Sequence, residues 1–323
     1  MNAINSINAT NANSPKRSAA VILLKEEKPQ GLEVFLLKRS EQQKFMAGTY
    51  VFPGGIMDKQ DNEHKTLARC RGISPAKAQE AHGGALSKED ALAFRVTGVR
   101  ELFEEAGVLF AVRRTGEPVA IEDTPLQQRF DNYRALLLKG KITLAHLAEK
   151  ENLIYTIDQF VHFAHWITPE GQPLRFYTHF FIAAMPESQK ARADGKEATE
   201  GRWISPRNAL EENLRGAMIL MPPTIASLEN LARFATIGDV LHSLKDRETT
   251  RAVQPVYVDL PGQPFVVFPW DPDFKQYKKG NIPGNIDHGR PSSPADTSTR
   301  ILYRKGLSVP YCKNREEYKP AHG

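Results

Sequence analysis

Three glutamates, Glu101, Glu104 and Glu105, stand at i, i+3 and i+4 within Arg100-Glu101-Leu102-Phe103-Glu104-Glu105-Ala106-Gly107-Val108. On a helix turning 100° per residue, their carboxylates crowd onto one side. Like charges four apart cost a helix about 0.2–0.5 kcal/mol, and a bound divalent cation reverses that cost. Clustered carboxylate oxygens are hard donors, suited to Mg²⁺ or Mn²⁺. Val96, Val99, Leu102, Phe103 and Ala106 fall in a stripe on roughly the opposite side, which docks the helix on a core. The acids are therefore expected to point outward, into a cleft or into solvent. Upstream, Phe52-Pro53-Gly54-Gly55 requires a tight turn, since Pro fixes φ and Gly opens conformations closed to other residues. Such a backbone is able to approach a metal or a phosphate closely.

Arg-Glu-Leu-x-Glu-Glu-x-Gly-Val is similar to the second half of the Nudix box, and all seven fixed positions are present: Arg100, Glu101, Leu102, Glu104, Glu105, Gly107 and Val108. The resemblance implies an α/β fold, a Nudix-type α/β/α sandwich with a mixed sheet. It also implies that Glu101, Glu104, Glu105 and the carbonyl of Gly55 bind the metal, that Arg100 orients the acids, and that Glu105 or a loop acid is the general base. In the family a Gly is followed six residues later by a Glu, and the Arg comes eight after that. Here Gly55 precedes Arg100 by 45 residues where the family spacing is 14. The box is split by an insert, placed at about residues 59–87. Counting back from Arg100 reaches Leu92 instead of an acid, and Glu89 and Asp90 are the nearest substitutes. This split resembles that of coenzyme A diphosphatases of peroxisomes and their bacterial relatives.

A second motif bears on the substrate. From Phe35 to Gly55 the chain resembles the pattern upstream of the box in coenzyme A diphosphatases, with Arg39, Ser40, Gly48 and Phe52 to Gly55 matching and Lys44 in place of an Arg. Arg39, Lys44 and Gly54 are thus candidates for substrate binding. A guanidinium holds phosphate bidentately, whereas an ammonium offers a point charge. The resemblance implies hydrolysis of coenzyme A or acyl-CoA to 3',5'-ADP and (acyl-)phosphopantetheine. Alternatives with the same chemistry are ADP-ribose, a reduced dinucleotide, a nucleotide sugar or a capped RNA end; a non-catalytic ligand- or RNA-binding module is the alternative of another class.

The elements that must position these residues follow from apolar periodicity. Ala19–Leu24 and Glu33–Leu37 read as two strands joined by a turn at Pro29 and Gly31. Ser87 is expected to cap the acid-bearing helix, with Asp90 reaching back, and Gly107 to stop it. The insert holds one short helix from Pro75 to Ala81, and its place beside the site is that of a lid, an acyl-chain contact or a plain loop. Val108–Val112 reads as a strand, Leu126–Lys150 as a helix, and Phe160–Ile167 with Arg175–Ala184 as a strand pair. His162, His165 and His179 lie in that pair and read as packed core residues. Polar residues 194–201 lead into a strand at Arg202–Ser205, where many Nudix enzymes place a further acid. Glu197 is the first candidate for it and Glu200 the second. Ser205-Pro206 opens a helix, others follow from Met221 and Ile237, and residues 253–258 and 264–268 read as closing strands.

Composition narrows the class. The 323 residues are 41% hydrophobic and 25% charged, the balance of a globular protein. No run approaches the ~18 apolar residues of a membrane span. Two cysteines, Cys70 and Cys312, make neither a disulfide framework nor a metal motif. The net charge of +5 comes from residues 275–323, with ten basic against four acidic residues, read as a basic irregular tail. Residues 1–14 are read as disordered and residues 15–274 as one Nudix domain with a helical C-terminal extension. The first residues lack a secretory h-region and Ala321-His322-Gly323 is unlike a peroxisomal signal, so the expected setting is cytoplasmic. The expected partner is a small-molecule diphosphate, with no membrane and little claim for RNA; a homodimer is compatible.

Overall fold

The two N-terminal apolar runs become long strands because neither face of them is left to water. In the computed structural model, which describes residues 14–29, 31–43, 46–121, 124–245 and 251–313, β1 (Lys16–Glu27) and β2 (Gly31–Arg39) pair antiparallel. Successive residues point to opposite faces. Val21, Leu23, Phe35 and Leu37 join one core cluster, and Ile22, Leu24, Val34 and Leu36 join another. The short strands β3 (Tyr50–Val51) and β4 (Gly54–Ile56) carry the Phe-Pro-Gly-Gly turn onto β2 and β1.

The insert is ordered. A 3₁₀ turn at Lys59–Asn62 is capped by Asp58, followed by α1 (His64–Leu67), β5 (Cys70–Arg71) and α2 (Pro75–Glu80), the last capped by Ser74 with Pro at its first turn. Its Ala78 and Leu86 are buried in the same cluster as Phe94 and Val99, so it is packed on the core rather than a loose loop. The acid-bearing helix α3 (Lys88–Ala106) starts at Ser87, whose side chain accepts from the Asp90 N–H, and ends at Gly107 in the left-handed conformation with φ 71. Asp90 does not reach back to complete a capping box. Its carboxylate instead pairs with Arg17 at 2.7 Å and accepts from Asn62.

Val108–Phe110 are buried and precede the strand: the Gln189 side chain takes both the N–H and the carbonyl of Leu109, and the Phe110 carbonyl accepts from the Thr156 N–H. The strand itself is β6 (Ala111–Arg113). The expected helix over 126–150 is two helices, α4 (Thr124–Leu138) and α5 (Leu144–Glu151). Gly140, with φ 61, and the cap at Thr143 separate them. Strand β7 (Leu153–Thr156) joins β5 and β6 in a small sheet.

Strands β8 (Val161–Ile167), β9 (Phe176–Ala184) and β10 (Ala198–Ile204) complete the main seven-stranded sheet, ordered β10-β2-β1-β9-β8 with β3 and β4 added to it. The β1–β9 pair is parallel and the rest antiparallel, which makes the sheet mixed. Helix α3 packs on one face. The other takes α6 (Pro206–Leu214), α7 (Pro222–Leu231) and α8 (Ile237–Lys245). This is the expected α/β/α sandwich.

Beyond α8 the two expected closing strands are present as β11 (Val256–Val258) and β12 (Phe265–Val267), but residues from 275 on, expected to be an irregular basic tail, are not irregular. Helix α9 (Phe274–Lys278) is followed by strands β13 (Arg290–Pro291), β14 (Arg300–Arg304) and β15 (Leu307–Cys312), which join β11 and β12 in a five-stranded sheet. Its strands β14 and β15 turn over at Lys305-Gly306, both at positive φ. Arg300 is buried, and Asp271 and Asp273 pair with its guanidinium. The basic charge of this region is therefore partly structural rather than solvated. Residues 1–13, expected to be disordered, and 314–323 lie outside the described residues.

Candidate active site

The β4 turn is packed between β1 and helix α3. A Cβ at Gly54 would run into the Ala19 carbonyl oxygen of β1, and one at Gly55 would stand 2.5 Å from Glu101 Oε1 of α3, so that the carboxylate would have to move. The Gly54 N–H donates to Glu105 Oε2 at 2.8 Å. The turn thus brings backbone directly against the acids.

The acids do not point into solvent. Glu101, Glu104 and Glu105 are 8%, 6% and 7% exposed, covered by β4 and the insert. Arg100 holds them: Nη1 donates to Glu101 at 2.7 Å and to Glu104 at 3.0 Å, and Nη2 donates to the Ile56 carbonyl. The rest of the guanidinium goes to Asp61, with Nε to Oδ1 and Nη2 to Oδ2, each at 2.9 Å. Asp61 is fully buried and also accepts from Thr97 and from the Asp58 N–H.

Asp61 is the residue that sequence reasoning missed. It stands six residues after Gly55, where the family pattern has its Glu when counted forward from the glycine. Counting backward from Arg100 crosses the split and reaches Leu92, which is simply a core residue. The chain is interrupted after the first acid of the box, not before it. Asp90 is committed to Arg17 and Glu89 is exposed, so neither replaces that acid.

The electrostatics follow from this packing. Burial, partly offset by Arg100, pushes Glu101 up to about 7, with Glu104 and Asp61 adding to the rise. Burial also raises Glu104 and raises Glu105 strongly, the latter with help from Glu101 and Glu197 and against the Gly54 N–H and Arg39. For Arg100, burial works against the charge but the bond to Asp61 and the fields of Glu101, Asp61 and Glu104 outweigh it, so its pKa rises. Three carboxylates, those of Asp61, Glu101 and Glu104, share one guanidinium, and a fourth, Glu105, accepts from the Gly54 N–H. Such an excess of hard, anionic oxygen donors fits a divalent Mg²⁺- or Mn²⁺-like cation.

The remaining candidates divide. Arg39 ends β2 half-buried, and its charge reaches Glu105. Glu197 is exposed in the loop before β10, held by its N–H to Asp194 and by its carbonyl, which accepts from the Ser40 N–H. Its charge is felt at both Glu104 and Glu105. Glu200 does not join them. The β10–β2 register shifts between Ala198 and Glu200, and Glu200 turns to the opposite face of the sheet, where it accepts from the Tyr50 hydroxyl at 2.9 Å. Lys44 lies outside the described residues.

A further arginine supports the site from behind. Arg134 of α4 is buried and donates to the Glu104 carbonyl at 2.7 Å and to the Arg192 carbonyl at 3.1 Å, tying the end of α3 to the segment that leads to Glu197.

This sheet between helices, with a Gly-Gly turn set against an acid-bearing helix, is the architecture of a Nudix domain. A crystal structure of a NUDIX hydrolase from Alicyclobacillus acidocaldarius shares the fold, with a TM-score of 0.62 at 23% identity, covering 72% of this chain and 97% of that one. The family model described as the NUDT19 Nudix domain matches residues 7–231, and the chain belongs to that family. Among curated relatives, the human acyl-coenzyme A diphosphatase NUDT19 is 29% identical over 240 residues, covering 65% of this chain and 63% of that protein. The putative nudix hydrolase 7 of Caenorhabditis elegans is 31% identical over 219 residues, covering 67% of this chain and 61% of that protein. The Xenopus laevis acyl-coenzyme A diphosphatase NUDT19 is 26% identical, covering 78% and 76%. The chain thus matches less than two thirds of the human and nematode proteins. Among the described residues, no helix is long and apolar enough to cross a membrane.

Proposed function

We propose that this chain is a metal-dependent diphosphate hydrolase whose substrate is coenzyme A or an acyl-CoA, cleaved to 3',5'-ADP and (acyl-)phosphopantetheine. The observation that carries the chemistry is the set of four buried carboxylates, three of them paired with the Arg100 guanidinium and the fourth, Glu105, bonded to the Gly54 N–H. Glu101, Glu104, Glu105 and the Gly55 carbonyl would hold Mg²⁺ or Mn²⁺, with Arg100 and Asp61 fixing the direction of the acids. When bound, the metal neutralises the diphosphate and lowers the pKa of coordinated water.

The chain's own residues supply the rest. Arg39, whose charge is felt at Glu105, would bind a phosphate oxygen of the substrate. Glu197 is accessible and faces the acids electrostatically. It takes the proton of the attacking water as general base. Water adds to one phosphorus, the bridging P–O bond breaks, and the other phosphate leaves with the bridging oxygen.

The substrate assignment rests on the Arg39 to Gly55 motif and on the names of the human and frog relatives. It is tested by incubating the protein and Mg²⁺ with coenzyme A, ADP-ribose and a nucleotide sugar, and separating the products. The expected result is 3',5'-ADP from coenzyme A as the fastest reaction, with a raised KM in Arg39→Gln. Turnover of ADP-ribose or the sugar nucleotide without coenzyme A cleavage would move the substrate to that class.

A further inference from the structure

On the α3 face of the main sheet, histidines from three segments gather at its β8 edge. His162 and His165 come from β8, His179 from β9, and His82 from the turn between α2 and α3. His82 Nδ1 lies 3.2 Å from His179 Nδ1, and His162 Nε2 lies 2.8 Å from that same atom. One ring nitrogen from each of these three lies within 4.8 Å of the other two. Two nitrogens bound to one tetrahedral Zn²⁺ at about 2.0–2.1 Å stand about 3.3 Å apart, so the spacing is close to that of ligands around a single ion.

We propose that His82, His162 and His179 form a second metal site, for a borderline transition ion such as Zn²⁺ with solvent in the fourth position, and that it fastens the insert to the sheet. Hydrogen bonding alone serves the cluster poorly. His179 Nδ1 has one in-plane lone pair and two nitrogens directed at it, while Nε2 of the same ring is buried without a partner. An ion takes up the lone pairs of all three rings together. Burial, reinforced by Arg95 and His165, keeps His82 and His179 neutral, the form that ligates. His162 is only half-buried, giving the ion and its solvent ligand a way in from the sheet edge. Imidazole donors also separate this site by softness from the carboxylate site.

Arg95 sets the affinity. Its Nη1 donates to the Ala91 carbonyl and lies 3.1 Å from His82 Nε2. Donation to Nε2 puts the His82 proton on Nδ1, the atom that must ligate. Arg95 and the metal therefore compete for the tautomer of His82, and the buried guanidinium charge opposes a second cation. Both effects vanish in Arg95→Met.

The test is a Co²⁺ titration of the full chain in excess Mg²⁺, followed by visible absorption, with bound Zn²⁺ measured by elemental analysis after dialysis. The site predicts about one equivalent of four-coordinate Co²⁺, displaced by Zn²⁺. His162→Gln removes a ligand and should weaken binding by more than the roughly 10–100-fold that loss of a ligand's outer partner costs, and Arg95→Met should tighten it about tenfold or more. Circular dichroism shows that each variant is folded. Absence of Co²⁺ and Zn²⁺ uptake in both the unmodified chain and Arg95→Met would overturn the proposal. So would binding that His162→Gln leaves unchanged. Loss of diphosphate hydrolysis enters neither readout.

Discussion

Asp61→Asn separates the insert's role in the site from its role in the core, because the new side chain keeps the shape and loses the charge. Asp61 receives two charge-assisted bonds from Arg100, both at 2.9 Å. Each such bond contributes about 1.5–3 kcal/mol, and Asn retains one acceptor oxygen. Stability should fall by about 2–3 kcal/mol, short of unfolding for a domain with several partners left on Arg100. Function should suffer more. A guanidinium released from Asp61 turns fully to Glu101 and Glu104, withdrawing those oxygens from a cation. The loss of a partner behind the ligands typically costs about 10–100-fold in metal affinity. Initial rates measured against Mg²⁺ at saturating substrate should show the half-saturating Mg²⁺ concentration rising by that factor, with little change in KM for the diphosphate. A folded Asp61→Asn protein with an unchanged Mg²⁺ dependence would refute the assignment of Asp61 as the acid of the first half of the box.

Three further outcomes follow from the packing. Gly55→Ala drives a Cβ to 2.5 Å from Glu101 Oε1, so the carboxylate must move; turnover should fall about 10²-fold while the melting temperature changes little, as kinetics and calorimetry together would show. Arg134→Met removes the bonds to the Glu104 and Arg192 carbonyls, and should cost about 2 kcal/mol in denaturant unfolding and lower kcat more than it alters KM. Glu229, raised by burial from 4.5 to about 7 against the bonds from Ser298, binds its proton more tightly folded than unfolded. Its contribution is therefore lost as pH rises from about 4.5 through 7, by about 3 kcal/mol. In excess Mg²⁺, the stability of Glu229→Gln relative to the unmodified chain should rise between pH 5 and pH 8, and a difference that stays flat would contradict the shift.

The helix that carries the acids was legible because its signals are local: a Ser cap, a Gly stop and glutamates at helical spacing. The main strands were legible from apolar runs for the same reason. What lay across distance was not. Asp61 is linked to Arg100 through the fold, and the split box hid it from a count taken from the wrong end. Glu200 was misplaced because a register shift in β10 changes which residues share a face, and in a strand one residue decides that. The tertiary partner of Leu109 is a side-chain amide 80 positions away, within a stretch that periodicity alone reads as strand. In the C-terminal region, strong charge masked a hairpin whose sign was nonetheless present: Lys305-Gly306 between two apolar runs is a two-residue turn with both residues at positive φ. The three histidines of β8 and β9 have the sequence surroundings of core residues, and they are buried or half-buried. Only the fold brings His82 to them.

The central claim is that carboxylates on one helix hold a divalent cation that makes this chain a diphosphate hydrolase. It is tested most directly by measuring Mn²⁺ binding by electron paramagnetic resonance alongside 3',5'-ADP release from coenzyme A in the unmodified chain and in Glu104→Gln and Glu105→Gln. The account predicts Mn²⁺ binding with metal-dependent release in the unmodified chain, and loss of both in the two variants while each remains folded. Release that survives both substitutions, or Mn²⁺ binding indifferent to them, would contradict it.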